Sequence, residues 1–342
     1  MLSFRQTLKA ASLTTPFSVR DDLQTHPESV RDLLRVLRLP SAYLDWTLHQ
    51  QLWEKTHDNI QGLTCIDKNT AVITSQSHIF LAKSTDTSRY SNIVQTKSVA
   101  DLANQTDLGL PCDHFSDPDH RDGLIFFVFD VDDDSGTVAS ALVACDLTFQ
   151  VIGYTRLGDD VSAACCAVHP WNGLLYLKEA GSRTHKLLAH DVSRYFARHA
   201  SGVQLGAHIE GARRPDQDIG LRDGSGKSTR VEEIQGMAFS PNGRLYLTHY
   251  HATGDGPGPW QNYLSIYSAL TGGFMWSSGD VDYDGDYDEI EGVALLPGAG
   301  EVFFVHADND FEATGTDEYY LHRLRVPPPL VTAGGGQAAK VV

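Results

Sequence analysis

One short phrase recurs along this chain and limits what it can fold into. It reads Ile60-Gln-Gly-Leu63, Ile234-Gln-Gly-Met237 and Ile290-Glu-Gly-Val293. Each copy opens an apolar run, then a tight turn, then a second apolar run. Met237-Ala-Phe-Ser-Pro-Asn-Gly-Arg-Leu-Tyr-Leu247 matches Cys166-Ala-Val-His-Pro-Trp-Asn-Gly-Leu-Leu-Tyr-Leu177 in this form. Val293–Phe304 keeps it with a looser turn, and Leu63–Ile73 keeps it with Asp67-Lys-Asn69 at the bend. A divergent copy runs from Cys112-Asp-His-Phe115 through Asp122-Gly123 to Leu124–Val128. Short runs rich in Val, Ile, Phe and Tyr between Gly, Pro, Asn and Asp are strand signals. Each hairpin is followed by another strand pair, so the unit holds four strands, the mark of a propeller blade.

The repeats start near Gln61, His114, Ala164, Gln235 and Glu291. The expected fold is therefore all-β: a five-bladed β-propeller over residues 57–326. It becomes six-bladed if the 190–230 insertion holds another blade or the N-terminal arm builds one. Residues 1–56 read as a helical arm. Val30, Leu33, Leu34 and Leu37 share a helix face, Pro40 stops it, and Ser41 caps a second helix carrying Tyr43, Leu44, Trp46, Leu48 and Leu52. Residues 327–342 begin with three prolines and continue with three glycines, the composition of a disordered tail.

Composition narrows the partners. A formal net charge of −17 disfavours a polyanion-binding surface, so nucleic acid is not expected. No run reaches the length of a membrane span, and no continuous apolar leader opens the chain, so membrane is not expected and cytoplasm is the default. The five cysteines include no CxxC pair and sit largely in apolar runs, which suits reduced thiols rather than a zinc site or disulfide framework. Gly224-Ser-Gly-Lys-Ser228 lacks the upstream glycine of a phosphate loop, so no nucleotide cofactor is expected.

With its Ile-Gln/Glu-Gly-Met/Val-Ala phrases and Pro-Asn-Gly-x-Leu-Tyr-Leu, the chain resembles the group of propellers that includes strictosidine-synthase-like and gluconolactonase-like proteins. The resemblance lies in the blade repeats and covers roughly residues 57–326. Gluconolactonase-like members hold a central divalent metal with Glu, Asn and Asp from different blades. The resemblance thus implies a central metal and lactone chemistry, without a residue-by-residue correspondence. Propellers of this kind are also similar to tailoring cyclases that bind a reactive small molecule in the central funnel.

The residues themselves point to the axis. The start of each innermost strand lines one end of a propeller's channel, so Asp58, Asn59, Gln61, Asp113, His114, Glu233, Gln235, Glu289 and Glu291 are expected to converge there. They would form an oxygen-rich site for a small polar molecule or a divalent cation; the bland alternative is that they pair between blades and close the channel. At the ends of the second strands stand Gln76, His78, Glu179, His249, His251 and His306. His249 and His251 share one strand face, where they could ligate a metal or act as bases; as loop residues they would be ordinary surface histidines. Asp280-Val-Asp-Tyr-Asp-Gly-Asp-Tyr-Asp-Glu-Ile-Glu291 fits the calcium-loop pattern, with Asp280, Asp282 and Asp284 as ligands. Glu291 cannot both close that loop and line the funnel, and the repeat alignment puts it in the funnel. Asp130–Gly136 lacks the distant Glu and reads as a hairpin tip.

The leading expectation is a small-molecule enzyme with its site in the funnel: hydrolysis of a lactone or ester by a metal-bound water, with His114, His249, His251 and Glu233 as catalytic candidates. A metal-free cyclase or isomerase would need an open apolar funnel. A non-enzymatic scaffold would tolerate a plugged one.

Overall fold

A computed structural model describes residues 45–54, 59–84, 90, 92–108, 112–132, 138–202, 206–210, 212–241, 243–252, 260–278, 281, 289–296, 301–308 and 318–325. The strand pairings of the described residues build five blade sheets around one axis, with a two-strand ribbon of Arg183–Thr184 and Val231–Glu232 between blades 3 and 4. Blade 1 is a four-strand meander of Ile60–Asp67, Thr70–Ser75, His78–Lys83 and Asn92–Ser98. In blade 2, Cys112–Phe115 and Asp119–Arg121 form the inner edge of Leu124–Asp132, Val138–Asp146 and Val151–Arg156. Blade 3 comprises Val161–Val168, Leu174–Glu179 and Lys186–Asp191. Blade 4 runs through Ile234–Phe239, Arg244–Ala252, Trp260–Ser268 and Phe274–Ser277, and blade 5 through Glu289–Leu296, Glu301–Asp308 and Glu318–Arg325.

Two readings of the sequence are corrected here. Asp45–Glu54, expected as helix, is the outermost strand of blade 5, antiparallel to Glu318–Arg325 from Asp45↔Arg325 to Glu54↔Glu318. Closing the ring with a strand from the opposite end of the chain ties both ends of the described fold together. Residues 1–44 and 326–342 lie outside the described residues, as do the helix expected around Val30–Leu37 and the disordered tail. The 190–230 insertion contains no sixth blade. It carries helix α1 (Ser193–Ser201), then lays Ala207–His208 on blade 2 and Ala212–Arg213 and Ile219–Gly220 on blade 3, finishing their outer edges. Within it, Asp223 accepts the N–H groups of Ser225 and Lys227 in a compact turn, not a phosphate loop.

Apolar burial explains why five sheets close. The described residues form five hydrophobic clusters, one in each gap between neighbouring blades. Side chains alternate along a strand, so Ile125, Phe127 and Phe129 face blade 1 while Leu124, Phe126 and Val128 face blade 3. That two-sided burial is why Leu124–Phe129 reads as continuously apolar rather than alternating. Among the described residues, no helix is long and apolar enough to cross a membrane.

The glycines of the recurring phrase serve the axis. Gly62 pairs with Thr74 and Gly236 with Thr248. Because glycine leaves the space above it empty, each threonine reaches over it to the next blade. Thr74 donates to the carbonyl of Ser116 at 2.9 Å, and Thr248 donates to the carbonyl of Glu291. A Cβ on Gly236 would run into Thr248 Oγ1, the Glu291 carbonyl oxygen and Gly292 Cα. Two of these are backbone atoms and cannot swing away. Gly236→Ala is therefore expected to cost about 3 kcal/mol, at the upper end for overpacking, read as a lower denaturant midpoint at unchanged slope. A change below about 0.5 kcal/mol would refute the tight-axis description.

Candidate functional site at the propeller axis

The innermost strands define three levels along the axis: a mouth where they begin, a waist at the glycines, and a far end. The waist is closed by one residue that sequence reasoning passed over. Asp117 occupies in blade 2 the place that glycine holds in blades 1, 4 and 5, and it is fully buried. Its Oδ1 accepts the Leu63 N–H at 3.0 Å, and its Oδ2 accepts those of Met237 at 3.0 Å and Val293 at 3.4 Å. Its own N–H donates to the Ala164 carbonyl at 3.1 Å, and its carbonyl accepts the Cys166 N–H at 3.3 Å. One residue thereby touches all four other blades. The missing side chains of Gly62 and Gly292 make room for it, since a Cβ on either would strike Asp117. Burial pushes its carboxyl up, opposed by the three peptide N–H donors.

At the far end, Asp119 accepts the Val168 N–H at 2.6 Å and the His120 N–H at 2.8 Å. Burial raises its pKa to about 6.

Above the waist, the inner strands of blades 1, 4 and 5 bulge at Gln61, Gln235 and near Glu291, where the ladder register shifts. A bulge re-aims side chains, and here it turns polar ones toward the axis. Gln61 and His114 meet across blades 1 and 2, Oε1 to Nε2 at 2.7 Å. Glu291 is 3% exposed and shares a side-chain hydrogen bond with Glu289. Burial first, then the neighbouring Glu289 and Asp117, pushes its carboxyl well above the usual carboxylate range. Glu289 and Glu291 thus form a pair of neighbouring carboxyls in which ionisation of one opposes ionisation of the other.

Glu233, which shares Tyr250 with that pair as an electrostatic neighbour, is half-buried, with φ at +34°. A left-handed backbone is uncommon for a residue with a Cβ and is concentrated at functional positions. Burial raises its pKa, against the pull of Lys178. The Lys178 Nζ lies 3.9 Å from Glu233 Oε2. Tyr250 lies within electrostatic reach of Glu233, Glu289 and Glu291 and has its phenol pushed up, chiefly by burial. The mouth therefore juxtaposes a carboxyl pair, a second carboxylate, an ammonium and a phenol.

Several expected site residues do not belong to this mouth. His249 is half-buried in blade 4, stacked on Tyr263 with ring centroids 5.4 Å apart and bonded to Ser265 Oγ at 2.8 Å. His251 shares its strand face but points to the half-exposed flank, where it pairs with Glu232. The two histidines are packing and surface groups in this fold, because they lie on the blade's side face rather than its axial edge. His306 is fully buried within blade 5 beside His322, centroids 5.4 Å apart, and His322 stacks on Phe304 at 4.9 Å. Asn59 lies at the mouth with its carbonyl engaged by the Gln76 N–H at 2.9 Å, and Gln235 is half-buried there. Asp58, Asp280, Asp282 and Asp284 lie outside the described residues, and of Asp113 only the backbone is described. Among the described residues, no three His, Cys, Asp or Glu side chains gather as metal ligands.

No protein-family model and no curated protein matches the chain. Solved structures resemble it at low identity. The GH43_1 enzyme from Xanthomonas citri complexed with xylose is 11% identical at a TM-score of 0.47, covering 86% of this chain and 92% of that one. A glucose dehydrogenase is 10% identical at 0.44, covering 82% and 99%. The tail fibre of Staphylococcus aureus phage P68 is 10% identical at 0.44, covering 87% and 56%. Likeness at this level carries no argument about chemistry. The five-bladed β-propeller stands on its own strand pairing, without assignment to the strictosidine-synthase-like and gluconolactonase-like group.

Proposed function

We propose that this protein is a small-molecule enzyme that hydrolyses a lactone or ester at the mouth of its axis. One arrangement carries the reading: Glu291, a buried carboxyl pushed well above the usual carboxylate range, and Glu233, a carboxylate beside Lys178, both lie within electrostatic reach of Tyr250. Perturbed titratable groups in a recess are the usual sign of a working site. An acid and a base with separated pKa values can divide the two proton transfers of a hydrolysis. Glu233 would take the proton of the attacking water, and Glu291 would give its proton to the departing alkoxide. The polar lining does not suit a cyclase that needs an open apolar funnel. A neutral or cationic substrate fits the carboxylate-rich mouth of a chain with net charge −17.

The test is hydrolysis of nitrophenyl esters and simple lactones by the wild type, Glu291→Gln and Glu233→Gln. Each glutamine is expected to lower kcat about 100-fold or more with the fold intact. With the wild type, the rate should rise as Glu233 ionises and fall as Glu291 does. Elemental analysis and a chelator arm separate this reading from a metal-assisted one using Asp280, Asp282 or Asp284. Glutamine variants as active as the wild type would end the acid–base reading. A wild type inert on every probe would leave a binding propeller, which the closed waist also permits.

A further inference from the structure

Lys178 is the group at the mouth with the most unexplained placement. It is the last residue but one of the strand Leu174–Glu179 of blade 3, and its side chain is only 6% exposed. Lysine is seldom buried unless paired, since an ammonium brings three donors that water would otherwise satisfy. Here the one ion pair described, to Glu233, is 3.9 Å long, beyond hydrogen-bond distance. No hydrogen bond from its Nζ occurs among the described residues. Lys178 also lies within electrostatic reach of the Cys165 thiol, whose backbone bridges to Asp117. The strained backbone of Glu233 holds the opposing carboxylate in place. A positioned cation that makes no hydrogen bond to a described residue is suited to a negative charge that appears only during reaction.

We propose that Lys178 is a catalytic residue whose ammonium receives the carbonyl oxygen of the substrate and stabilises the oxyanion formed on it. This rests on the hydrolytic reading above and adds to it. Water adds to the carbonyl carbon and loses its proton to Glu233. The C=O π electrons move to oxygen, and that oxyanion lies against Lys178 Nζ. Collapse restores C=O and breaks the acyl C–O bond, and the alkoxide takes the Glu291 proton. An acid and an alcohol leave, and exchange with solvent resets both carboxyls. Lys178 remains charged throughout.

The experiment pairs kinetics with a binding measurement that needs no turnover. Lys178→Met keeps the apolar stem and removes the charge, and Lys178→Arg keeps the charge. On nitrophenyl acetate, Lys178→Met is expected to lose at least about 100-fold in kcat with KM changed by less than about threefold, and Lys178→Arg to recover part of the loss. The binding probe is the monomethyl ester of methylphosphonic acid, a tetrahedral oxyanion, titrated into the protein and followed by NMR. Wild type should bind it, and Lys178→Met should bind it at least about 30-fold more weakly. Equal binding by Lys178→Met and wild type would overturn the proposal, as would no binding to the wild type. If the phosphonate result holds but no ester or lactone is hydrolysed, the oxyanion site stands and the hydrolytic reading falls. If hydrolysis occurs and Lys178→Met keeps its kcat, the reading stands and the role of Lys178 falls.

Discussion

Asp117→Ala is expected to remove most of the protein's stability, about 5 kcal/mol or more. The carboxylate is the acceptor for three buried peptide N–H groups from three different blades. Removing it strands all three donors, and each buried donor without a partner costs about 1–3 kcal/mol. A void at the waist adds to that. Against a total stability on the order of 5–15 kcal/mol, the ring would open at moderate denaturant or fail to form. Asp117→Asn separates hydrogen bonding from volume, since it fills the same space. The Asn oxygen can serve Leu63, but its NH2 then faces the N–H groups of Met237 and Val293, donor against donor. A loss of about 2–4 kcal/mol is expected, read from urea midpoints at constant slope. If Asp117→Asn matches the wild type within about 0.5 kcal/mol, Asp117 is not the waist's organising acceptor.

The second large effect concerns acid. His249 and His306 are held at about 4, and His322 and His169 at about 3, in each case mainly because burial disfavours the charged ring. His190, also at about 4, owes its shift to burial and then to Arg213. A depressed pKa stabilises the fold above the unfolded value of about 6.5 and withdraws that support as pH falls toward the folded value. Asp117, Asp119 and Glu291 act the other way. Their folded pKa values are raised, so their support is complete below about pH 4 and fades as pH rises through the folded values. Near pH 5 these five histidines outnumber the three acids, so the unfolded chain binds more protons than the native one. Stability should then fall as pH drops below about 6. Denaturant midpoints measured from about pH 7.5 down to about pH 4.5 test this. A flat or rising profile would mean that the buried rings are not held neutral.

What could be read from sequence follows the range of each interaction. The blades were legible because a hairpin is local: strand, turn and strand lie within a dozen residues in Met237–Leu247. The mouth was legible in part, because Gln61, Gln235 and Glu291 occupy one column of a repeat, and a repeated position is a repeated place. Asp117 escaped because its blade is the divergent one. Placing it in the glycine column beside Gly62, Gly236 and Gly292 would have shown a carboxylate where every Cβ is crowded. Asp45–Glu54 was misread because its partner strand lies at the other end of the chain. Its spacing of Trp46, Leu48 and Leu52 suits either period when the partner is unknown. His249 and His306 were misplaced because alternation tells which face a residue takes, but not whether that face meets the axis or the next blade. Lys178 left no signal, being one charge at the end of an ordinary apolar strand.

The account turns on a carboxyl at the mouth of the axis, Glu291, that burial and Glu289 hold well above the usual carboxylate range. Carbon-13 NMR of the glutamate side-chain carboxyls, followed from about pH 3 to about pH 9 in wild type and Glu291→Gln, addresses it directly. One resonance, absent from Glu291→Gln, should titrate well above the ordinary carboxylate range, displaced by burial and by Glu289. A Glu291 resonance that titrates near the ordinary value of about 4.3 would contradict the account.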